Sequence, residues 1–320
     1  MKLELYLQNS NTGKIYDISG VAGQIEVTSS ITGEAGKLSC VLQKDPNNLL
    51  EIANGSHVSF IVDGYGMFYG YVFMVGTDAE QNYKITCYDQ MRYLKNSDII
   101  TTANMTASDI FAKVCNDYNL RYEIRVPTNY IPEPYIHDSK TLYSIIERGI
   151  QYANINDKKM YFIRDEFGTL VWSELGNEKT NIQIGEGSLL LGYKYEKSID
   201  DDSYNQIKMF KEDKQAGKRQ IWLVKDSNNI KRWGILQMLH KADDELNEAQ
   251  IKQMAEDYFK VKNRETEKLT LQANGVKELT AGKGIKFVLE RDKLDMWMWI
   301  ISSKHTFTKY EHTMELEVEI

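Results

Sequence analysis

Apolar and polar residues alternate in short runs from Lys2 to Tyr88, where helical periodicity is almost absent. The runs Lys2 to Leu7, Gln24 to Thr28, Lys37 to Leu42, His57 to Val62, Phe68 to Val75 and Tyr83 to Tyr88 predict strands. Glycine-bearing turns separate them, among them Gly33, Gly36, Asn54-Gly55 and Gly64. Many short, closely spaced strands favour a small barrel or sandwich.

The period changes near Thr106-Ala107-Ser108-Asp109, which reads as a capping box opening a helix through Ile110, Phe111, Val114, Cys115 and Tyr118. Pro127 to Pro134 breaks the chain, and Leu142, Ile145, Ile146 and Gly149 mark a second helix. Met160 to Ile163 and Thr169 to Ser173, joined by a turn at Asp165-Glu166-Phe167-Gly168, read as a β-hairpin. From about residue 181 strands resume: Leu189 to Glu196, then Asn205 to Lys211 and Gln220 to Val224 around a polar tip at 211–218. A long helix is predicted over 243–263, with Leu246, Ala249, Met254, Tyr258 and Val261 as its apolar stripe and acids leading bases. Strands at Lys268 to Ala273, Ile285 to Leu289, Trp297 to Ser303 and Thr313 to Ile320 close the chain. The class is mainly β with an α+β region. The expected divisions are a strand-rich domain over residues 1–96, an α+β domain over residues 97–180 and a second strand-rich domain over residues 181–320 that holds the long helix.

The two strand-rich domains resemble each other at their ends. Lys37-Leu38-Ser39-Cys40-Val41-Leu42 matches Lys268-Leu269-Thr270-Leu271-Gln272-Ala273 in character, and Gly55 to Val62 matches Gly282 to Leu289. An aromatic strand follows in each, Met67-Phe68-Tyr69 against Met296-Trp297-Met298-Trp299, and then a last strand. Alternation by chance produces the same matches, so strand order must decide between a duplicated module and coincidence. A duplicated module lets three chains build a ring of six quasi-equivalent positions.

Composition narrows the function. A chain of 320 residues exceeds one ordinary core, so two or three domains are expected. With 42% hydrophobic and 27% charged residues it lies in the globular range. A net charge of −7 opposes any role that depends on gripping phosphates, so sequence-specific nucleic-acid binding is not expected. Three scattered cysteines without CxxC spacing fit neither a disulfide framework nor a zinc site. The opening strand pattern is unlike a signal peptide and no apolar run reaches membrane-spanning length, so synthesis in a reducing cytosol and no membrane partner are expected, and with the resemblance given below that cytosol is a bacterial cytoplasm.

Chemical motifs are sparse. Gly64-Tyr65-Gly66-Met67-Phe68-Tyr69-Gly70 has the wrong spacing for a dinucleotide loop and leads into a strand, so a hairpin turn fits better. Ala281-Gly282-Lys283-Gly284 lacks a following Ser or Thr and is not a P-loop. Cys115 and His137 have the residue types of a nucleophile and base, but Cys115 sits in an apolar helical stripe, where thiols are inert packing. Asp200-Asp201-Asp202 reads as a solvated loop, and His57, His240, His305 and His312 lack metal-ligand spacing. Met296 to Trp299 is apolar on both faces, which predicts a strand covered twice. No catalytic, cofactor-binding or metal-binding residue is therefore expected.

The segment Gly64 to Asn96, with Phe68-Tyr69-Gly70-Tyr71-Val72 and Ile85-Thr86-Cys87-Tyr88-Asp89-Gln90-Met91-Arg92-Tyr93-Leu94, resembles the hub proteins of contractile phage tails, the group related to late-control protein D. So do Thr106 to Phe111, the helix around Ser144-Ile145-Ile146, Phe167-Gly168-Thr169-Leu170 and Trp233-Gly234-Ile235-Leu236-Gln237. The resemblance implies a homotrimer with two tube-like β-barrel domains per chain. It also implies partners: a sixfold tail tube protein above, a threefold central spike protein below, and baseplate wedge proteins around. Prophages and phage-derived bacteriocins (tailocins) share this plan, a contractile injection system with a non-enzymatic structural hub. The other reading is a cell-wall-binding or peptidoglycan-hydrolysing tail component, since Trp and Tyr suit sugar faces. A turbidity assay on cell walls separates the two: no clearing is expected, and lysis that vanishes on changing one carboxylate establishes the second.

Overall fold

Alternation turns into strand because every second side chain finds the same apolar layer. In the computed structural model, which describes residues 1–44, 49–200, 202–213, 218–242 and 246–319 and leaves aside the side chains of Asp213 and Asp292, the chain opens with β1 (Leu3–Gln8), β2 (Ile15–Asp17), β3 (Ala22–Ser30), β4 (Lys37–Leu42), β5 (His57–Val62), β6 (Tyr65–Thr77) and β7 (Tyr83–Tyr88). Leu5, Leu7, Ile25, Val27, Leu38, Val58 and Phe60 point into one core with Phe307. At 25 cal/mol per Å², each such side chain contributes about 1.5–3 kcal/mol on burial.

A 3₁₀ turn (Gln90–Lys95) leads into β8 (Ser97–Thr102), α1 (Ala107–Asp117), β9 (Tyr122–Ile124), β10 (Tyr135–Thr141), α2 (Leu142–Asp157), β11 (Tyr161–Asp165) and β12 (Leu170–Glu174). Thr106 caps α1 in the expected capping box, and Thr141 caps α2. Phe111, Ile145, Ile146 and Trp172 fill a second core between the helices and the β11-β12-β9 sheet.

The remaining elements are β13 (Lys179–Gly185), β14 (Leu190–Ser198), β15 (Gln206–Asp213), β16 (Lys218–Lys225), α3 (Ser227–Trp233), β17 (Gln237–Lys241), α4 (Glu248–Lys262), β18 (Thr266–Asn274), β19 (Gly284–Leu289), β20 (Leu294–Phe307) and β21 (His312–Glu319). By compactness the chain forms two units, residues 1–193 with 270–320, and residues 194–269. In the smaller unit α4 covers one face of a β16-β15-β17 sheet. Its buried stripe is Ile251 and Ala255 with Met254, Tyr258 and Phe259, whereas Ala249 and Val261 of the expected stripe lie exposed. The helix expected over 243–263 starts at Glu248, because Asn247 is the side chain that caps it; positions 243–245 fall outside the described residues.

Strand order decides the question of duplication. One sheet path runs β14-β18-β21-β20-β3-β4-β7-β6-β5-β1-β2, with β19 on β20 and β13 on β19. It contains the series β3-β4-β7-β6-β5-β1 and, in the same sequence order, β14-β18-β21-β20-β19-β13. Fine details repeat as well. Val72 exchanges hydrogen bonds with Gly55 and Ser56 at 2.7 and 2.9 Å, and Ile300 exchanges them with Gly282 and Lys283 at 2.7 and 2.9 Å. The ladder to the following strand slips by one residue between Val72 and Met74 and between Ile300 and Ser302. The repeats differ where β1 meets β5 antiparallel but β13 meets β19 parallel. They differ again between their second and third strands. There the first repeat has a turn at 31–36, with Gly33 against the Tyr143 ring, and the second carries the smaller unit.

The path is an open one, so barrel closure is not made by the described strands of a single chain. The strand expected to be covered twice is also partly open, since Met298 is buried while Trp297 is exposed beneath the Lys179 ammonium. Gly55 and Gly282 both hold positive φ, +82° and +86°. A methyl at Gly55 meets only Ser10 at 3.8 Å, but one at Gly282 runs into Arg164 and Phe162. Gly55→Ala is therefore expected to cost about 1–2 kcal/mol from backbone strain. Gly282→Ala is expected to cost about 1–3 kcal/mol beyond that from overpacking, read from urea unfolding midpoints.

Candidate functional site

Two features stand out from the packing: a buried polar seam and a pair of incomplete strand edges. The seam lies where β11, the β11–β12 turn and the segments before β13 and β19 converge. Arg164, almost wholly buried, donates from Nη1 to Ala281 O at 2.9 Å, from Nε to Glu166 Oε1 at 3.0 Å and from Nη2 to Glu178 Oε2 at 2.5 Å. Arg125 donates to Glu178 at 2.9 Å and Glu166 at 2.5 Å, and Lys283 reaches Glu178 at 2.5 Å. Burial alone raises a carboxyl, yet Arg164 and Lys283 outweigh it and hold Glu178 down at about 2. Such a mutually satisfied cluster fixes geometry, and removing one partner strands a buried charge.

Next to it, Asp89 accepts from Gly36 N at 2.8 Å and Met91 N at 2.9 Å, while Asp165 accepts from Gly168 N at 2.6 Å. Both line a small cavity with Thr28, Ser29, Tyr69 and His305. Burial pushes Asp165 up to about 7, and burial with the Asp165 charge raises Asp89 well above the usual carboxylate range. His305 donates from Nε2 to Leu279 O at 2.9 Å, so its Nδ1 accepts from His312 Nε2 at 3.0 Å. Burial lowers these imidazoles to about 3 and about 4, which keeps both neutral.

The residues weighed for catalysis lie elsewhere. Cys115 is fully buried and its thiol is pushed up to about 12, the opposite of an activated nucleophile. His137 stands 3.3 Å from Thr102 in the β8–β10 pair. Gly64 forms the β5–β6 hairpin turn and Gly284 opens β19, as the spacing predicts. Asp202 pairs with Lys262, and Asp201 falls outside the described residues, as do 214–217 of the polar tip. Among the described residues no three His, Cys, Asp or Glu side chains are grouped to hold a metal, and no helix is long and apolar enough to cross a membrane.

The edges are read from the repeat. In β20 the first half pairs with β19, while Ser302–Phe307 pairs antiparallel with Ser30–Ile25 of β3. This joint links the repeats, with Ser29 and Ser303 hydroxyls 2.9 Å apart. In β6, Tyr65–Tyr71 pairs with β5, but among the described residues no strand lies on that side beyond Val72. Met74 there is 59% exposed. β14, the counterpart of β3, ends the sheet path and exposes Leu191 by 61% with Tyr193 beside it. Sequence reasoning missed both edges, because alternation predicts that a strand exists and not whether each side is paired.

The fold so defined is the mainly-β fold of phage tail proteins. It superposes on the 43 kDa tail protein of prophage MuSo2 from Shewanella oneidensis with a TM-score of 0.71 at 15% identity, covering 99% of this chain and 98% of that one. A tail protein from Neisseria meningitidis MC58 gives 0.69 at 12% identity over 100% and 97% of the two chains. The E. coli c3393 protein, a type VI secretion system component similar to T4 tail proteins gp27 and gp5, gives 0.57 at 8% identity over 99% of this chain and 76% of that one. The chain belongs to the YqbQ-like family, whose sequence model matches residues 25–319. It is 25% identical over 281 residues to the phage-like element PBSX protein XkdQ of Bacillus subtilis, covering 87% of this chain and 85% of the relative.

The buried carboxylates carry a pH signature. Asp165 has a raised folded pKa, so the native state binds more protons than the unfolded chain between about pH 4 and 7, and stability is lost as pH rises through that window. The neutral histidines act oppositely: their folded pKa values are lowered, so their contribution is lost as pH falls from about 6.5 toward about 3. Asp165→Asn is expected to remove the first effect, to relieve Asp89 of the charge beside it, and to leave the effect of the histidines in place. Its stability relative to the parent chain should then rise by on the order of 2 kcal/mol between pH 4 and 7, read from urea unfolding at several pH values. A constant difference disproves the assignment.

Proposed function

We propose that the chain is the structural hub of a contractile tail baseplate, a homotrimer that adapts a sixfold tail tube to a threefold central spike. The reading rests on the duplicated strand series. Each chain offers two related modules, so three chains present six similar positions on one side while keeping true threefold symmetry on the other. In this reading residues 1–96 and 181–320 supply the two tube-like barrel modules and residues 97–180 the α+β domain. The tail tube, spike and wedge proteins are its partners, catalysis plays no role, and assembly from the cytoplasm into a phage or tailocin particle follows.

The incomplete edges support it. Within a chain, β3 completes β20, and the counterparts β14 and β6 each lack the equivalent neighbour among the described residues. Joining β14 of one chain to the second half of β6 in the next repeats the internal joint between subunits. It also hides edges that would otherwise aggregate. The contact is head-to-tail, so the rotation set by the module closes a ring.

Light scattering on the purified chain is expected to give a three-chain mass. Met74→Lys with Leu191→Lys, tolerated on exposed edges but buried in the joint, is expected to shift it to one chain without lowering the helix and strand signal in circular dichroism. A parent chain that stays monomeric at high concentration rules the reading out.

A further inference from the structure

The smaller unit, residues 194–269, interrupts a repeat whose sister manages with a short turn, so the module itself does not require it. Its sheet has two unlike faces. Ile207, Met209, Trp222, Val224 and Met238 turn toward α4, where Ile251 and Ala255 meet them. Alternation turns Lys208, Phe210, Ile221, Leu223 and Leu239 to the other face. The register sets these in rows: Leu223 and Leu239 flank Lys208, and Ile221 and Lys241 flank Phe210. Ile221 is 54% exposed, Leu223 50% and Leu239 59%. Around them stand Arg219, Lys225 and Lys241, and Glu212 answers Arg219 and Lys241. A chain of net charge −7 thus carries one face where, among the described residues of its sheet, four cations meet one carboxylate.

The geometry points to this face as the docking site of an acidic polypeptide segment from another protein, one that alternates carboxylates with aliphatic side chains. Charge decides against a second copy of the same face, since like charges would oppose across the contact. Strand geometry decides against a lipid surface. Both β16 and β17 are edges with no further strand among the described residues, and their backbone groups find partners in polypeptide but not in hydrocarbon. Phe210 lies under the Arg219 guanidinium, 5.6 Å from its ring, and offers no stacking platform for a base. The inference stands apart from the hub reading, for it concerns one chain's insert and requires no trimer.

The test is fluorescence anisotropy on the full chain with three probes. These are an octapeptide alternating Glu with Val and Leu, its counterpart with Lys in place of Glu, and vesicles of phosphatidylcholine with phosphatidylglycerol. The acidic peptide is expected to bind, to weaken as salt rises, and to lose about tenfold or more in affinity in Leu223→Ser/Leu239→Ser and in Lys208→Glu/Lys241→Glu. Both pairs project from the face opposite the core, and unchanged thermal melts will show that they fold. Four results overturn the assignment: equal binding of the basic peptide, binding of vesicles in place of peptide, acidic-peptide binding absent or indifferent to both variants, and a fall in oligomeric mass in the serine pair. The last would make the face a contact between copies.

Discussion

The antiparallel ladder between β3 and the second half of β20 is the constraint on which the larger unit depends. Each repeat alone is an arc with an unpaired edge, and a free edge leaves a row of backbone donors and acceptors in water or open to other chains. The ladder satisfies six residue pairs at once and draws strands from opposite ends of the sequence together. It can form because β20, at 14 residues, is long enough to serve β19 with its first half and β3 with its second.

The polar seam makes that arrangement rigid. Arg164 comes from β11, Glu178 from the entrance to β13 and Lys283 from the entrance to β19, so three elements share one cluster of charges. A hydrophobic patch of similar size would hold them together but would permit sliding, whereas charge-assisted hydrogen bonds fix orientation as well as distance.

Much of this was legible in the residues. Lys37 to Leu42 and Lys268 to Ala273 share a pattern and occupy the same place in the two strand series, and Gly55 and Gly282 prove to have the same backbone role. The strands β2, β8, β9, β10, β13 and β17 escaped, because they are either three residues long or, as in Ser97–Thr102 and Tyr135–Thr141, too polar for alternation to rise above chance. The α4 stripe was displaced because spacings of three to five admit more than one face, and packing against Ile207 and Met209 selected the one through Ile251. The Asp89 and Asp165 cavity left no local trace: the two carboxylates stand far apart in sequence and only the fold brings them to one wall.

The turn at 31–36 explains why the repeats have diverged so unevenly. Gly33 lies flat against the Tyr143 ring of α2, leaving no room for even a methyl group. The sister position opens instead into the whole of 194–269. With Tyr143 of α2 packed on it, the first hairpin has no room to grow, while the second accommodates an insertion. A protein designer wishing to display cargo on this scaffold would graft it there and leave the first hairpin untouched.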